Sequence, residues 1–328
     1  LLKQVTIDWV EQFENLQKEN KKIKGVWFEE EYKRNYPYGN LASHVIGYTS
    51  AGDVGTWGIE EYYNSNLNGT NGRVYGFYDP ELNLIRTRKE AINGHTVVST
   101  IDINIQRIVE EHIAKFQDEI GANNVGVIVS NPNNGEIYAM ANNKGFDLNN
   151  PYDLSAYYDE VEIASMDEKD KEKALNTMWR NFSISDTYEP GSTFKPFTVA
   201  SALEEHLVTP ETTFQCDGVK RVGGWNIKCN ARHGKVTLAQ SLMKSCNPSM
   251  MAIGEAEGAA MFRTYQDHFF FGKKTGIDLP GEAEGILLPA DKLHASELAT
   301  SSFGQTFNVT MIQMVGAFSS VVNGGQYY

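Results

Sequence analysis

Apolar positions recur at helical spacing along residues 102–120, where Ile105, Ile108, Val109, Ile113 and Phe116 fall on one face. Asp102 stands ahead of them as a suitable N-cap, so the pattern predicts an amphipathic helix. The next segment, "NVGVIVSNPNNGEIYAMAN", sets two apolar runs around an Asn/Gly turn and predicts a β-hairpin. "YEPGSTFKPF" at 188–197 breaks the chain at Pro190 and Gly191 and predicts a helix opening at Ser192. "LAQSLMKSCNPSMMAIG" predicts a short helix, a break, and a second helix with Asn247 as N-cap and Pro248 in its first turn. The polar stretch "ASMDEKDKEKALN" predicts a solvated loop or short surface helix. The first 95 residues lack these periods and are rich in turn signals such as "NSNLNGTNGRVYG". The pattern therefore divides the chain into a polar region, 1–95, and an α+β domain, 96–328, with helices beside a hairpin-built sheet. Region 1–95 carries no clustered His, Cys or Ser/Lys pair, so it is expected to be a scaffold or docking module, dispensable for chemistry.

A net charge of −13 over 328 residues argues against nucleic acid as a partner and leads one to expect no basic patch for anionic lipid. The longest apolar run, "MIQMVGAFSSVV", is well short of the ~20 residues that span a bilayer. The chain opens without Met and stops just after an "NGG" turn signal, and it is expected to be a piece of a longer protein.

Positions i and i+3 of a helix share a face, which puts Ser192 and Lys195 side by side. A serine hydroxyl needs a base to become a nucleophile. A lysine flanked by Phe194 and Phe197 loses hydration, and burial disfavours its charged form, which makes it a base. The plainer reading is a capping serine followed by a surface lysine. Ser245 and Asn247, two residues apart in the break between helices, add a candidate proton relay and a candidate ligand for a substrate amide; a purely capping role for Asn247 also fits.

S-x-x-K at 192–195 inside "YEPGSTFK", followed by S-x-N at 245–247, resembles the class B penicillin-binding proteins, and the elongation type in particular. "HVIGY", "GTWGIEEYYNSNLNGTNG", "TIDINIQ", "NPNNGEIYAMAN", "FGKKTGIDLPGE" and "TSSFGQTFNVTMIQMVGAFSSVVNGG" resemble further landmarks, in order, from about residue 35 onward. The resemblance implies a penicillin-binding transpeptidase fold, a central antiparallel sheet with flanking helices, on an N-terminal pedestal or dimerisation domain. It implies a peptidoglycan D,D-transpeptidase that acts on stem peptides ending in D-Ala-D-Ala and is a target of β-lactams. Ser192, Lys195, Ser245 and Asn247 would be catalytic, and a serine β-lactamase, a D,D-carboxypeptidase and a non-catalytic penicillin receptor are the rivals. It further implies a membrane glycosyltransferase of the SEDS family as partner, and an extracytoplasmic location behind a single N-terminal membrane anchor. The "KTG" at 274–276 leads into "IDLPGE" and is not expected to be the family's active-site triplet, which would follow Tyr328.

All three cysteines, Cys216, Cys229 and Cys246, fall within 31 residues and enclose His233. Three thiolates and an imidazole suit tetrahedral zinc, and some elongation-type relatives resemble this pattern of a metal beside S-x-N. The alternatives are a Cys216–Cys229 disulfide with Cys246 free, or three unrelated thiols. Asp217 and His206 are reserve ligands. If Ser245 and Asn247 face the cleft, alternation turns Cys246 toward the metal, which would pin the loop as a structural ion.

Overall fold

A computed structural model describes residues 5–28, 33–81 and 84–328. The expected helix runs over Ile103–Glu119, and the Asp102 carboxylate accepts from the backbone N–H groups of Asn104 and Ile105. It lies on the hairpin Gly126–Ser130/Ile137–Asn142, whose strands pair antiparallel from Gly126↔Asn142 onward. One buried side chain fixes the two against each other. The Gln106 amide donates to the Met140 carbonyl at 3.0 Å and accepts the Met140 N–H at 2.9 Å, so no backbone group is left unpaired there. This hairpin is the part of the expected central sheet present among the described residues; the other strands form separate two-stranded pairs.

The polar stretch after residue 163 is more ordered than its composition suggests. Asp167 caps a helix over Glu168–Trp179, and its last turns bury Ala174, Met178 and Trp179. An acidic first turn supports the helix dipole while one apolar edge docks.

An aromatic knot forms around Phe194. Phe194 meets Phe197, Phe262, Phe271 and Phe307 at centroid separations of 5.4, 6.0, 5.4 and 4.8 Å. Such tilted and edge-to-face pairs fix the start of the helix Lys195–Glu204 from behind.

The packing crosses residue 95. Tyr36 and Tyr48 share a core with Phe146, Leu148, Leu154, Met178 and Trp179, and Ala42 and Val45 share another with Met140, Ile184, Leu279 and Ile312. Asn149 exchanges two hydrogen bonds with the backbone of Tyr36, and the Tyr63 hydroxyl donates to Asp278 at 2.7 Å. His44 is buried in this seam with Nε2 3.0 Å from the Met178 carbonyl. By contrast the ribbon Arg73–Tyr78/Leu84–Lys89 stands apart, with every residue of Arg73–Tyr78 exposed.

Candidate active site

Ser192 is exposed in a 3-10 turn, Gly191–Phe194, that runs straight into the helix Lys195–Glu204. The turn is held from one side. The Gly191 N–H donates to the Gly304 carbonyl at 2.7 Å, and Glu189 accepts the Thr306 N–H at 2.7 Å. Gly304 has φ +86, and a Cβ there would lie 2.0 Å from the Gly191 carbonyl oxygen, so only glycine allows this approach.

Lys195 is 2% exposed, beneath Ser192 and against the aromatic knot. Burial pulls its pKa below the ordinary lysine value, against a smaller opposite pull from the neighbouring Cys229 and Cys246 side chains. Its Nζ lies 2.7 Å from the Ser245 carbonyl, 2.7 Å from Ser245 Oγ and 2.8 Å from Asn247 Oδ1. Ser245 Oγ in turn lies 2.8 Å from Ser192 Oγ. Ser245 thus touches both Ser192 and Lys195. The backbone accounts for this reach: the helix Leu238–Met243 ends at Lys244, and Ser245 adopts φ +52, a left-handed conformation rare for a residue with a Cβ.

The second helix begins one residue before the predicted start. Cys246 is its N-cap and Asn247 its first residue, over Asn247–His268. The Asn247 side chain does not cap; it accepts from Lys195 and donates to the Lys228 carbonyl at 3.0 Å. The triplet at 274–276 lies elsewhere. The Thr275 N–H and hydroxyl both bond Glu282 Oε1 at 2.6 Å, and the Gly276 N–H reaches Glu282 Oε2 at 3.1 Å, so the segment closes its own turn.

Cys216, Cys229, His233 and Cys246 converge, with all four donor atoms within 4.8 Å of one another. The Cys216 and Cys229 sulfurs lie 3.7 and 3.9 Å from His233 Nδ1, and all three cysteines are free thiols. A tetrahedral ion with Zn–S near ~2.3 Å needs donors about 3.8 Å apart, so the cluster fits a closed four-ligand site. Cys246 is fully buried and turned away from Ser245 and Asn247, and the Asn247 N–H donates to Cys229 Sγ at 3.4 Å. Asp217 faces Arg232 and Gln215 instead, and neither it nor His206 joins the group.

Residues 125–328 match the penicillin binding protein transpeptidase domain, and residues 3–99 match the penicillin-binding protein dimerisation domain. The chain belongs to the penicillin-binding protein transpeptidase family. Within this family it is 35% identical over 313 residues to stage V sporulation protein D of Bacillus subtilis, covering 93% of this chain and 46% of that protein. It is 28% identical to the peptidoglycan D,D-transpeptidase FtsI of Escherichia coli K12, covering 100% and 52%. The chain spans about half the length of these curated relatives. Penicillin binding protein 3 of Mycobacterium tuberculosis, solved with ampicillin, superposes with a TM-score of 0.73 at 28% identity, over 89% of this chain and 58% of that one. Penicillin binding protein 2X of Streptococcus thermophilus does so with 0.78 at 27% identity, over 98% and 47%. The fold is the penicillin-binding transpeptidase fold on an N-terminal dimerisation or pedestal domain. Among the described residues no helix is long and apolar enough to cross a membrane.

Two features of the site escaped the sequence reading. The close approach of Gly191 and Gly304 was visible only as a glycine within a family landmark. The buried pair Ser201–Glu257, which joins the helices bearing Lys195 and Asn247, left no motif.

Proposed function

We propose that the full-length protein is a serine D,D-transpeptidase that cross-links peptidoglycan stem peptides, with Ser192 as nucleophile. The observation that carries this is the continuous hydrogen-bonded path from Ser192 Oγ through Ser245 Oγ to the buried Lys195 Nζ. With Lys195 neutral, two of its N–H groups donate to the Ser245 carbonyl and Asn247, and its lone pair receives the Ser245 proton. Ser192 Oγ attacks the carbonyl of the penultimate D-Ala, and its proton passes through Ser245 to Lys195. As the C–N bond breaks, the same proton returns to the departing D-Ala nitrogen. An amine of a neighbouring strand then attacks the ester; its proton passes by way of Lys195 and Ser245 to Ser192 Oγ as the ester C–O bond breaks, regenerating Ser192. Asn247 would hold a substrate amide beside the nucleophile.

β-Lactams would acylate Ser192 in the same way; penicillin binding protein 3 of M. tuberculosis has been solved with aztreonam and ampicillin. The chain's division of labour follows as 1–95 for docking and 96–328 for chemistry. A SEDS glycosyltransferase is the partner proposed for the pedestal, at the extracytoplasmic face of the cell membrane. The four-donor cluster is proposed to hold zinc through Cys216, Cys229, His233 and Cys246. Such an ion would have no open position and would act structurally, holding the loop that bears Ser245 and Asn247.

Intact-mass measurement of the full-length protein after exposure to a penicillin should show one covalent adduct. Ser192→Ala and Lys195→Arg should both lose it, because guanidinium stays protonated and cannot act as a base. An adduct that persists in Ser192→Ala sinks the assignment, and rapid release of the adduct by water would favour the β-lactamase or carboxypeptidase reading.

A further inference from the structure

Residues 216–246 carry six Lys or Arg and one Asp in a chain of net charge −13. Two of these cations are satisfied: Lys220 pairs with Glu255 at 2.9 Å and Arg232 with Asp217 at 3.4 Å. Arg221, Lys228, Lys235 and Lys244 are exposed and form no ion pair among the described residues. Two of the four belong to backbone segments that join the Ser192 network. The Lys228 carbonyl accepts from Asn247, which touches Lys195, and Lys244 immediately precedes Ser245, which touches Ser192. Asn230 donates to the Lys244 carbonyl at 3.3 Å, tying the strand end bearing Lys228 to the helix end bearing Lys244. On an acidic molecule, exposed cations without ion-pair partners on neighbouring segments concentrate anions locally.

We infer that Lys228 and Lys244 form an anion subsite that binds a free carboxylate of the peptide presented to Ser192. This rests on the transpeptidase reading for the identity of the ligand and on the geometry for its place. The carboxylate could come from the body of the peptide or from its C-terminus, and both offer the same charge-assisted hydrogen bonds to an ammonium. If the two cations served only to offset thiolate charge, their loss would alter metal content and leave peptide recognition unchanged.

The test measures binding of fluorescent D-Ala-D-Ala peptides to the full-length Ser192→Ala protein by anisotropy. Three peptides are compared: one with both carboxylates free, one with the internal carboxyl amidated, and one with the terminal carboxyl amidated. The fully charged peptide should bind more tightly than one of the amidated forms, and which one names the source. K228Q/K244Q should erase that preference, at roughly three- to fivefold per lysine, and the preference should shrink with added salt. K228R/K244R should restore it, which a merely structural role would not do. Equal binding of all three peptides, or a preference untouched by K228Q/K244Q, overturns the subsite. The penicillin adduct is scored separately on protein with Ser192 intact. Its absence together with a retained preference would sink the transpeptidase reading and leave the subsite standing.

Discussion

Glu257 sits one residue before Gly258, whose φ of +73 kinks the helix Asn247–His268. Its Oε1 accepts from the Ser201 hydroxyl, while Oε2 is buried without a hydrogen-bond partner among the described residues. Burial pushes this carboxyl up to about 7 from an ordinary 4.5. The folded chain therefore keeps a proton that the unfolded chain gives up, and stability falls as pH rises from about 4.5 to 7. His44 works in the opposite direction. Burial lowers it to about 4 from 6.5, so the folded chain refuses a proton that the unfolded chain takes, and stability is lost as pH falls from 6.5 toward 4. Between about 4.5 and 6.5 the two slopes oppose each other. Glu257→Gln keeps the acceptor for Ser201 and removes the buried charge, so it should be more stable than the parent above pH 7, by up to about 3 kcal/mol. That advantage should fade as pH falls toward 4.5, below which the His44 slope stands alone. Melting curves between pH 4 and 8 check this; a gap that does not vary with pH would remove the buried-carboxylate account.

At the scale of elements, the loop 245–247 and the strands carrying the cysteines act as one unit. Asn247 is bonded through its side chain to Lys228 and through its N–H to Cys229 Sγ, and Cys246 anchors the loop from below. Much of this was legible in the sequence, because S-x-x-K specifies a spacing at a helix start, S-x-N marks a break between two helices, and three cysteines around one histidine specify a donor set. The helix–hairpin order was legible as well: Ile105, Val109 and Ile113 recur at helical spacing and turn inward, while Ile108 and Phe116 stay exposed, and an Asn/Gly turn separates the two apolar runs of the hairpin. What stayed hidden depends on long-range packing. Asn247 has the chemistry of a cap, and only the arrival of Lys195 and Lys228 redirects its side chain. The seam of Tyr36 and Tyr48 with Trp179 joins residues over a hundred positions apart and has no local period. Cys246→Ser should therefore lower both zinc content and the rate of penicillin acylation, while the thermal midpoint drops with chelator in the parent but little in the variant. The full-length protein purified without added metal should carry about one zinc per chain, as a closed site requires. Metal-free protein with a Cys216–Cys229 bridge in a non-reducing peptide map would reverse the assignment.

For the whole molecule, the composition-based boundary at 95 and the packing boundary differ, and they make opposite forecasts for truncation. The sequence pattern treats residues 1–95 as separable because they hold no reactive groups. The structure places Tyr36, Ala42, Val45 and Tyr48 inside cores whose other walls are Phe146, Met140, Met178, Trp179 and Ile312. Fully burying each of the larger side chains contributes about 1.5–3 kcal/mol, and a domain's net stability is only about 5–15 kcal/mol. A full-length protein shortened to begin at residue 94 should therefore unfold at a markedly lower temperature and bind little penicillin, through loss of fold. Excising the ribbon 73–89 instead removes a similar kind of polar, turn-rich sequence but no buried side chain from Arg73–Tyr78. The backbone pairing of Thr70 with Ile92 brings the two ends together, so a short turn can close the gap. That excision should leave the melting temperature within about 2 °C and the penicillin adduct intact. Melting temperature and adduct yield on the two deletions decide between the boundaries. A stable, reactive protein starting at residue 94 would show that the seam is dispensable and that the polar region is a separate domain after all.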